Sequence, residues 1–174
     1  MNHLQQALCQ TQNFQYVHEH LFTSGQLNAV QLKKIKEYGI NTVINLALTD
    51  APNHLHNEDK ICLDIGLNYI QLPICWDLPD AEQALFVLDT IDFLVKDHQV
   101  WVHCAKNYRV SALMYLYRQY YMDMDIANAQ NLLHQIWTPN DTWTGLIHSV
   151  DLLLKGRKAT RELEQALFQT QHFV

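Results

Sequence analysis

Val100-Trp101-Val102-His103-Cys104-Ala105-Lys106-Asn107-Tyr108-Arg109-Val110-Ser111-Ala112-Leu113 is the stretch that decides the fold. It opens as a β-branched and aromatic strand over residues 99–103. A short loop carrying a cysteine and an arginine follows, and a strongly apolar helix over residues 110–121 leaves it. A buried strand running straight into a buried helix belongs to a parallel sheet covered by helices. Upstream, the spacing of apolar residues predicts a helix over 28–38, with Val30, Leu32 and Ile35 on one side and Gly39 as its stop. Short strands over 41–46 and 68–74 are separated by a polar loop over 49–58 that contains Pro52. A second amphipathic helix over 80–95 has Asp80 placed to cap it. An early hairpin, residues 14–17 against 21–23, adds an edge, and helices over 127–137, 142–154 and 160–171 close the chain. The expectation is an α/β fold with a central, mainly parallel sheet of about four to five strands, helices on both faces, and a helical C-terminal third.

Composition narrows the function. The 174 residues are 48% apolar and 17% charged, one domain's worth of core with no linker-like stretch dividing it. A net charge of −6 disfavours a general nucleic-acid binder. Apolar runs are too short for a membrane span, and the first residues lack the basic-then-apolar pattern of a secretory signal. Cys9, Cys62, Cys75 and Cys104 form no Cys-x-x-Cys pair and read as reduced thiols of a cytoplasmic protein. The pairs His18/His20 and His54/His56 lack a third ligand at a metal-binding spacing and read as surface or loop histidines. Residues 4–14 and 163–173 match at eight of eleven positions. That is too short for a repeat fold, and two similar helices side by side, or chance, would account for it.

The chemistry centres on Cys104. Ligands bind at the carboxyl ends of strands in an open parallel sheet. A loop that opens a helix turns amide hydrogens and partial positive charge toward that place, favouring an anion, and thiolate over thiol. Lys106 and Arg109 add two full charges nearby. Cys104 is therefore the expected nucleophile beside an anion site, against the alternative of a buried inert cysteine.

This segment resembles the cysteine-dependent protein phosphatases, especially the small dual-specificity and bacterial tyrosine-phosphatase-like enzymes. Their signature is His-Cys, five residues, Arg, then Ser or Thr. His103-Cys104 and Ser111 stand at that spacing. Asn107 replaces the glycine often found three residues after the cysteine, and asparagine is the non-glycine residue best suited to a left-handed backbone. The resemblance extends to residues 21–26, 39–46 and 69–74 and spans about 14–137, leaving 138–174 as a helical extension. It implies a phosphate loop of backbone amides from Ala105, Lys106, Asn107, Tyr108, Arg109, Val110 and Ser111. It also implies that His103 organises the loop and that Ser111 donates to the thiolate. In Cys75-Trp76-Asp77-Leu78-Pro79-Asp80, Asp77 is similar to the acid of the family's Trp-Pro-Asp loop, while Asp80 fits better as a helix cap. The implied substrate is a phosphorylated protein or small phosphomonoester, with no metal or cofactor.

One departure concerns the arginine. Arg109 follows Cys104 after four residues, so Val110 occupies the usual arginine position. A one-residue shift at a helix start turns a side chain by about 100°. Either the loop tightens so that Arg109 still forks onto phosphate oxygens, or Arg109 points elsewhere, Lys106 is the main cation, and activity is weak or absent. Two other readings follow: a phosphate-binding pseudophosphatase, and a sulfurtransferase similar to the rhodaneses, whose loop has the four-residue spacing. Trp137 and Trp143 either rim the pocket or pack in the core, with packing favoured, and a Cys75–Cys104 disulfide is a minor alternative.

Overall fold

The computed structural model describes residues 10–171. The elements run β1 (Gln15–His18), β2 (Leu21–Ser24), α1 (Ala29–Tyr38), β3 (Thr42–Asn45), α2 (Glu58–Asp64), β4 (Asn68–Gln71), α3 (Ala81–Leu94), β5 (Val100–His103), α4 (Tyr108–Tyr120), α5 (Ile126–His134) and α6 (Asp141–Gln171). The five strands form one sheet in the order β1-β2-β5-β3-β4. Only the β1–β2 edge hairpin is antiparallel; β2–β5, β5–β3 and β3–β4 are parallel. The strand that leads to Cys104 therefore lies between two parallel neighbours, with His103 level with Ser24 on one side and Asn45 on the other.

Alternation along the strands builds two cores. Val100 and Val102 face α3, α4 and α6, joining Leu88, Leu113, Trp143 and Val150 in one cluster. Trp101 faces the opposite way, into a cluster with Leu32, Ile35 and Cys62 of α1 and α2. The Trp101 ring stacks on Phe22 with centroids 5.9 Å apart and planes 10° off parallel, and its Nε1–H donates to Ser24 Oγ at 2.9 Å. Helices cover both faces, and the early hairpin does form the sheet edge.

Local chemistry sets the boundaries. Asn28 and Gln31 form a reciprocal capping box at the start of α1, and Gly39, at φ 115°, ends it in a left-handed conformation. Asp80 caps α3 by accepting from Gln83 N at 2.7 Å. Several expectations need correcting. Residues 58–64, at the end of the polar loop, form α2, a helix too short for its apolar spacing to stand out. The fourth strand ends at Gln71 rather than Ile74, because the register slips there: Leu72 N donates to Asn45 O, and Ile74 N, two residues on, donates to Leu46 O, only one residue on. Helix α4 begins at Tyr108 rather than Val110. The two separate C-terminal helices are one 31-residue helix, α6, with no break at residues 155–159. The similarity between residues 4–14 and 163–173, and Cys9 with it, lies partly outside the described residues. No described helix is long and apolar enough to cross a membrane.

Trp101 is wholly excluded from solvent. Trp101→Ala should lower the unfolding free energy by about 3–5 kcal/mol in a denaturant titration, from lost burial and the cavity left beneath the sheet.

Candidate active site

The site is assembled at the carboxyl ends of β5, β3 and β2. Cys104 leaves β5 with no solvent exposure, and its amide donates to Ser24 O at 3.4 Å. The loop behind it is tethered from outside. The Ala105 carbonyl accepts from Gln26 N at 3.2 Å and Asn53 Nδ2 at 2.8 Å, and the Lys106 carbonyl accepts from Asn13 Nδ2 at 2.8 Å. A trans peptide puts the next amide opposite its carbonyl, so the Lys106 N–H is turned away from the Gln26 and Asn53 tethers. Gly25 lets the loop pass this close: a Cβ there would stand 3.1 Å from the Ala105 carbonyl oxygen.

Asn107 then takes the left-handed conformation, φ 65°. Its side chain turns from the helix start and donates to Asn13 O at 2.6 Å and Thr23 Oγ1 at 3.2 Å. It does not cap α4. The first intrahelical bond falls to Ser111 N, which donates to Asn107 O at 2.9 Å, so the amides of Tyr108, Arg109 and Val110 have no acceptor among the described residues. Three orphan donors and the positive end of a 13-residue helix thus meet beside a sulfur atom.

A cavity of about 510 Å³ opens over this cup. The loop contributes Cys104, Ala105, Lys106, Tyr108 and Arg109; the segment after β4 contributes Cys75, Trp76 and Asp77; the loop after β3 contributes Leu48, Asp50, Ala51 and Pro52. The structure therefore brings Asp77, and not Asp80, to the wall that holds Cys104. Arg109 also lies on that wall, 8% exposed. Its Nε donates to Ile74 O at 2.9 Å, and its Cζ stands 5.3 Å from the Trp76 ring centroid. The guanidinium thus stands at the cavity, with its two terminal nitrogens uncommitted among the described residues.

The remaining expected residues fall elsewhere. Val110 is buried in the core and contributes only its amide. Ser111 is a correction: its hydroxyl donates to Tyr108 O at 3.1 Å and accepts from Trp137 Nε1 at 3.1 Å, and makes no bond to Cys104. A serine one turn into a helix readily bonds back to the preceding turn, and here an indole holds it there. His103 is fully buried and faces α2, with Nε2 3.0 Å from Glu58 Oε1. The contact is close but not aligned as a hydrogen bond. Glu58 also accepts from Gln26 Nε2 and Asn45 Nδ2, both at 3.0 Å, so one buried carboxylate ties together the ends of β2, β3 and β5. Sequence reasoning missed Glu58, Asp50, Asn13 and Asn53; each acts across a loop, where no periodicity marks a partner. Cys62, next to Glu58 and Asp59, is the inert counterpart of Cys104: burial first, then those carboxylates, push its thiol up to about 12.

A cysteine, an arginine and an aspartate facing a helix N-terminus on this sheet define a class: the chain has the fold of the cysteine-dependent tyrosine and dual-specificity phosphatases. Among solved structures, a Shewanella putrefaciens protein of family DUF442, provisionally described as a phosphatase, is 26% identical. That match covers 86% of this chain and 97% of that one, with a TM-score of 0.75. TpbA of P. aeruginosa is 20% identical over 83% of this chain and 90% of its own, at a TM-score of 0.65. Kinase associated phosphatase is 13% identical over 78% and 87%, at 0.66. No family model and no curated protein matches the sequence.

The left-handed turn can be tested apart from any activity. Asn107→Ala and Asn107→Gly both remove the side-chain tethers and differ only in their tolerance of φ 65°. The alanine variant should be the less stable of the two by about 1–2 kcal/mol in denaturant unfolding.

Proposed function

We propose that this chain is a phosphatase that hydrolyses phosphomonoesters through a phosphocysteine intermediate, working as a single domain on a phosphorylated protein or a small phosphomonoester. The observation that carries the reading is the convergence of Cys104, Asp77, Arg109 and the unfilled amides of α4 on one cavity. The phosphoryl oxygens take the amides of Lys106, Tyr108, Arg109 and Val110 and the two free nitrogens of Arg109. The Cys104 thiolate attacks phosphorus in line with the leaving oxygen. Asp77, protonated, gives its proton to that oxygen as the P–O bond breaks. Water then attacks the phosphocysteine, Asp77 takes its proton, and inorganic phosphate leaves. The nearby fold supports the substrate class: TpbA is known in complex with phosphotyrosine and PTPMT1 in complex with PI(5)P.

A second reading, a module that binds phosphate without turnover, is favoured by one observation: Arg109 Nε is already committed to Ile74 O. It predicts phosphotyrosine-peptide binding with no hydrolysis. The sulfurtransferase reading predicts thiosulfate:cyanide transfer, and a carboxylate on the cavity wall has no part in that chemistry.

Cys104→Ser should abolish turnover of phenyl phosphate measured in EDTA; a variant that keeps parent turnover refutes the scheme. Asp77→Asn should lower kcat on phenyl phosphate by about 10²–10⁴-fold, the usual weight of a general acid, with KM little changed. The loss should be much smaller on para-nitrophenyl phosphate, whose leaving group needs no proton. Asp50→Asn, on the same wall, serves as the control, and a larger loss there would move the acid to Asp50.

A further inference from the structure

The loop that carries Asp77 has almost no restraints of its own. Cys75, Asp77 and Leu78 are exposed, and Leu78 is 82% so. Between Ile74 and Asp80, one hydrogen bond is made among the described residues: Trp143 Nε1–H donates to the Trp76 carbonyl at 3.1 Å. That carbonyl belongs to the peptide joining Trp76 to Asp77. Trp143 lies in the first turn of α6, fully buried, with its own amide capped by Asn140 Oδ1 at 3.0 Å. The donor is therefore fixed by the core.

The ring of Trp76 is held by the same region. It packs against Trp143 at 5.2 Å and Trp137 at 5.4 Å between centroids. Trp137 in turn stacks on Tyr108 at 4.8 Å, 6° from parallel, and donates to Ser111 Oγ. Tyr108 and Ser111 sit in the first turns of α4, whose N-terminus forms the anion cup. Residues 137–143 thus touch both halves of the site, the cysteine helix through Trp137 and the acid loop through Trp76.

We infer that this α5–α6 connection is a clasp belonging to the catalytic apparatus, and that Trp143, with Trp137, is a positioning residue that fixes Asp77 over the cysteine loop. The inference rests on Asp77 being the general acid. Proton transfer requires an oxygen within hydrogen-bond reach of the leaving atom, and a displacement of about 1 Å is worth on the order of a hundredfold in rate. Trp143 Nε1–H is the one hydrogen-bond donor to this loop's backbone among the described residues, the Trp76 ring being held by packing alone, so removing that N–H frees the Trp76–Asp77 peptide to shift. The cup is held from the other side by Asn107, Asn13 and Gln26, and removing the Trp143 donor leaves the Trp137 contacts to Tyr108 and Ser111 in place.

The test is a double-mutant cycle on phenyl phosphate, whose leaving group has a pKa near that of tyrosine, about 10. Trp143→Phe keeps most of the ring and removes the donor. In the parent chain it should cost roughly tenfold or more in kcat, with KM held. In the Asp77→Asn background it should cost less than about twofold, because a residue acting through the acid has nothing left to place. On para-nitrophenyl phosphate the parent-background loss should nearly vanish. Equal losses in both backgrounds, or none in the parent, overturn the clasp while leaving the phosphatase reading intact. An Asp77→Asn chain as fast as the parent removes the acid assignment and the clasp with it. If Trp143→Phe does not fold, Asn140→Ala, which uncaps the Trp143 amide and leaves Trp137, Tyr108 and Ser111 unchanged, is carried through the same cycle and decides by the same criteria.

Discussion

Asn107 holds a conformation that an L-residue adopts at a cost, and it can do so because its amide is bonded to two strands' worth of neighbours. The Asn13 carbonyl and the Thr23 hydroxyl, at the β1–β2 end of the sheet, take both of its hydrogens. An asparagine at a helix start would ordinarily spend its side chain on the first-turn amides. Here the side chain is drawn away, and those amides are left facing the cavity. The polar cup above Cys104 is thus a by-product of the tether: the hydrogen bonds that make the left-handed turn affordable also prevent the helix from capping itself. Arg109 lies just past the same turn, in the first turn of α4, and its guanidinium stands at the cavity wall.

The strands, the main helices and the place of Cys104 between a strand end and a helix start could be read from the chain because they follow from local pattern. Residues 100–103 alternate between two cores, Asn28 and Asp80 are capping residues where caps are needed, and a cysteine between a buried strand and a buried helix has few places to go. Asn107 itself was legible as a left-handed position. What could not be read depends on contacts between segments far apart. Glu58 lies in a polar stretch that gives no sign of burial, yet it meets His103, Asn45 and Gln26 from three other segments. The orientation of Arg109 turned on where a helix begins to within two residues, which spacing alone does not resolve. Ser111 was assigned by resemblance, and its partner, Trp137, lies 26 residues away in a region read as packing.

Charge in the cavity is balanced rather than one-sided. Lys106, Arg109, Asp50 and Asp77 all line it, while the chain as a whole carries −6. An anion entering meets the buried Arg109 and the α4 amides, with the exposed Lys106, Asp50 and Asp77 around it. The attraction is therefore strongest at the buried Arg109 and the α4 amides and weaker at the exposed Lys106. Long-range steering of an anionic substrate by this acidic chain is weak, and affinity has to come from contact.

Cys75 shares the cavity wall with Cys104 but differs from it in one respect: it is open to solvent. An electrophile such as iodoacetamide would meet that outer thiol first. An adduct there would fill part of the 510 Å³ above the buried sulfur and block entry without touching it. Loss of function after alkylation would then report occlusion as readily as capture of Cys104. With serine at positions 9 and 75, and Cys62 buried, the rate of covalent labelling becomes a measure of the inner cysteine.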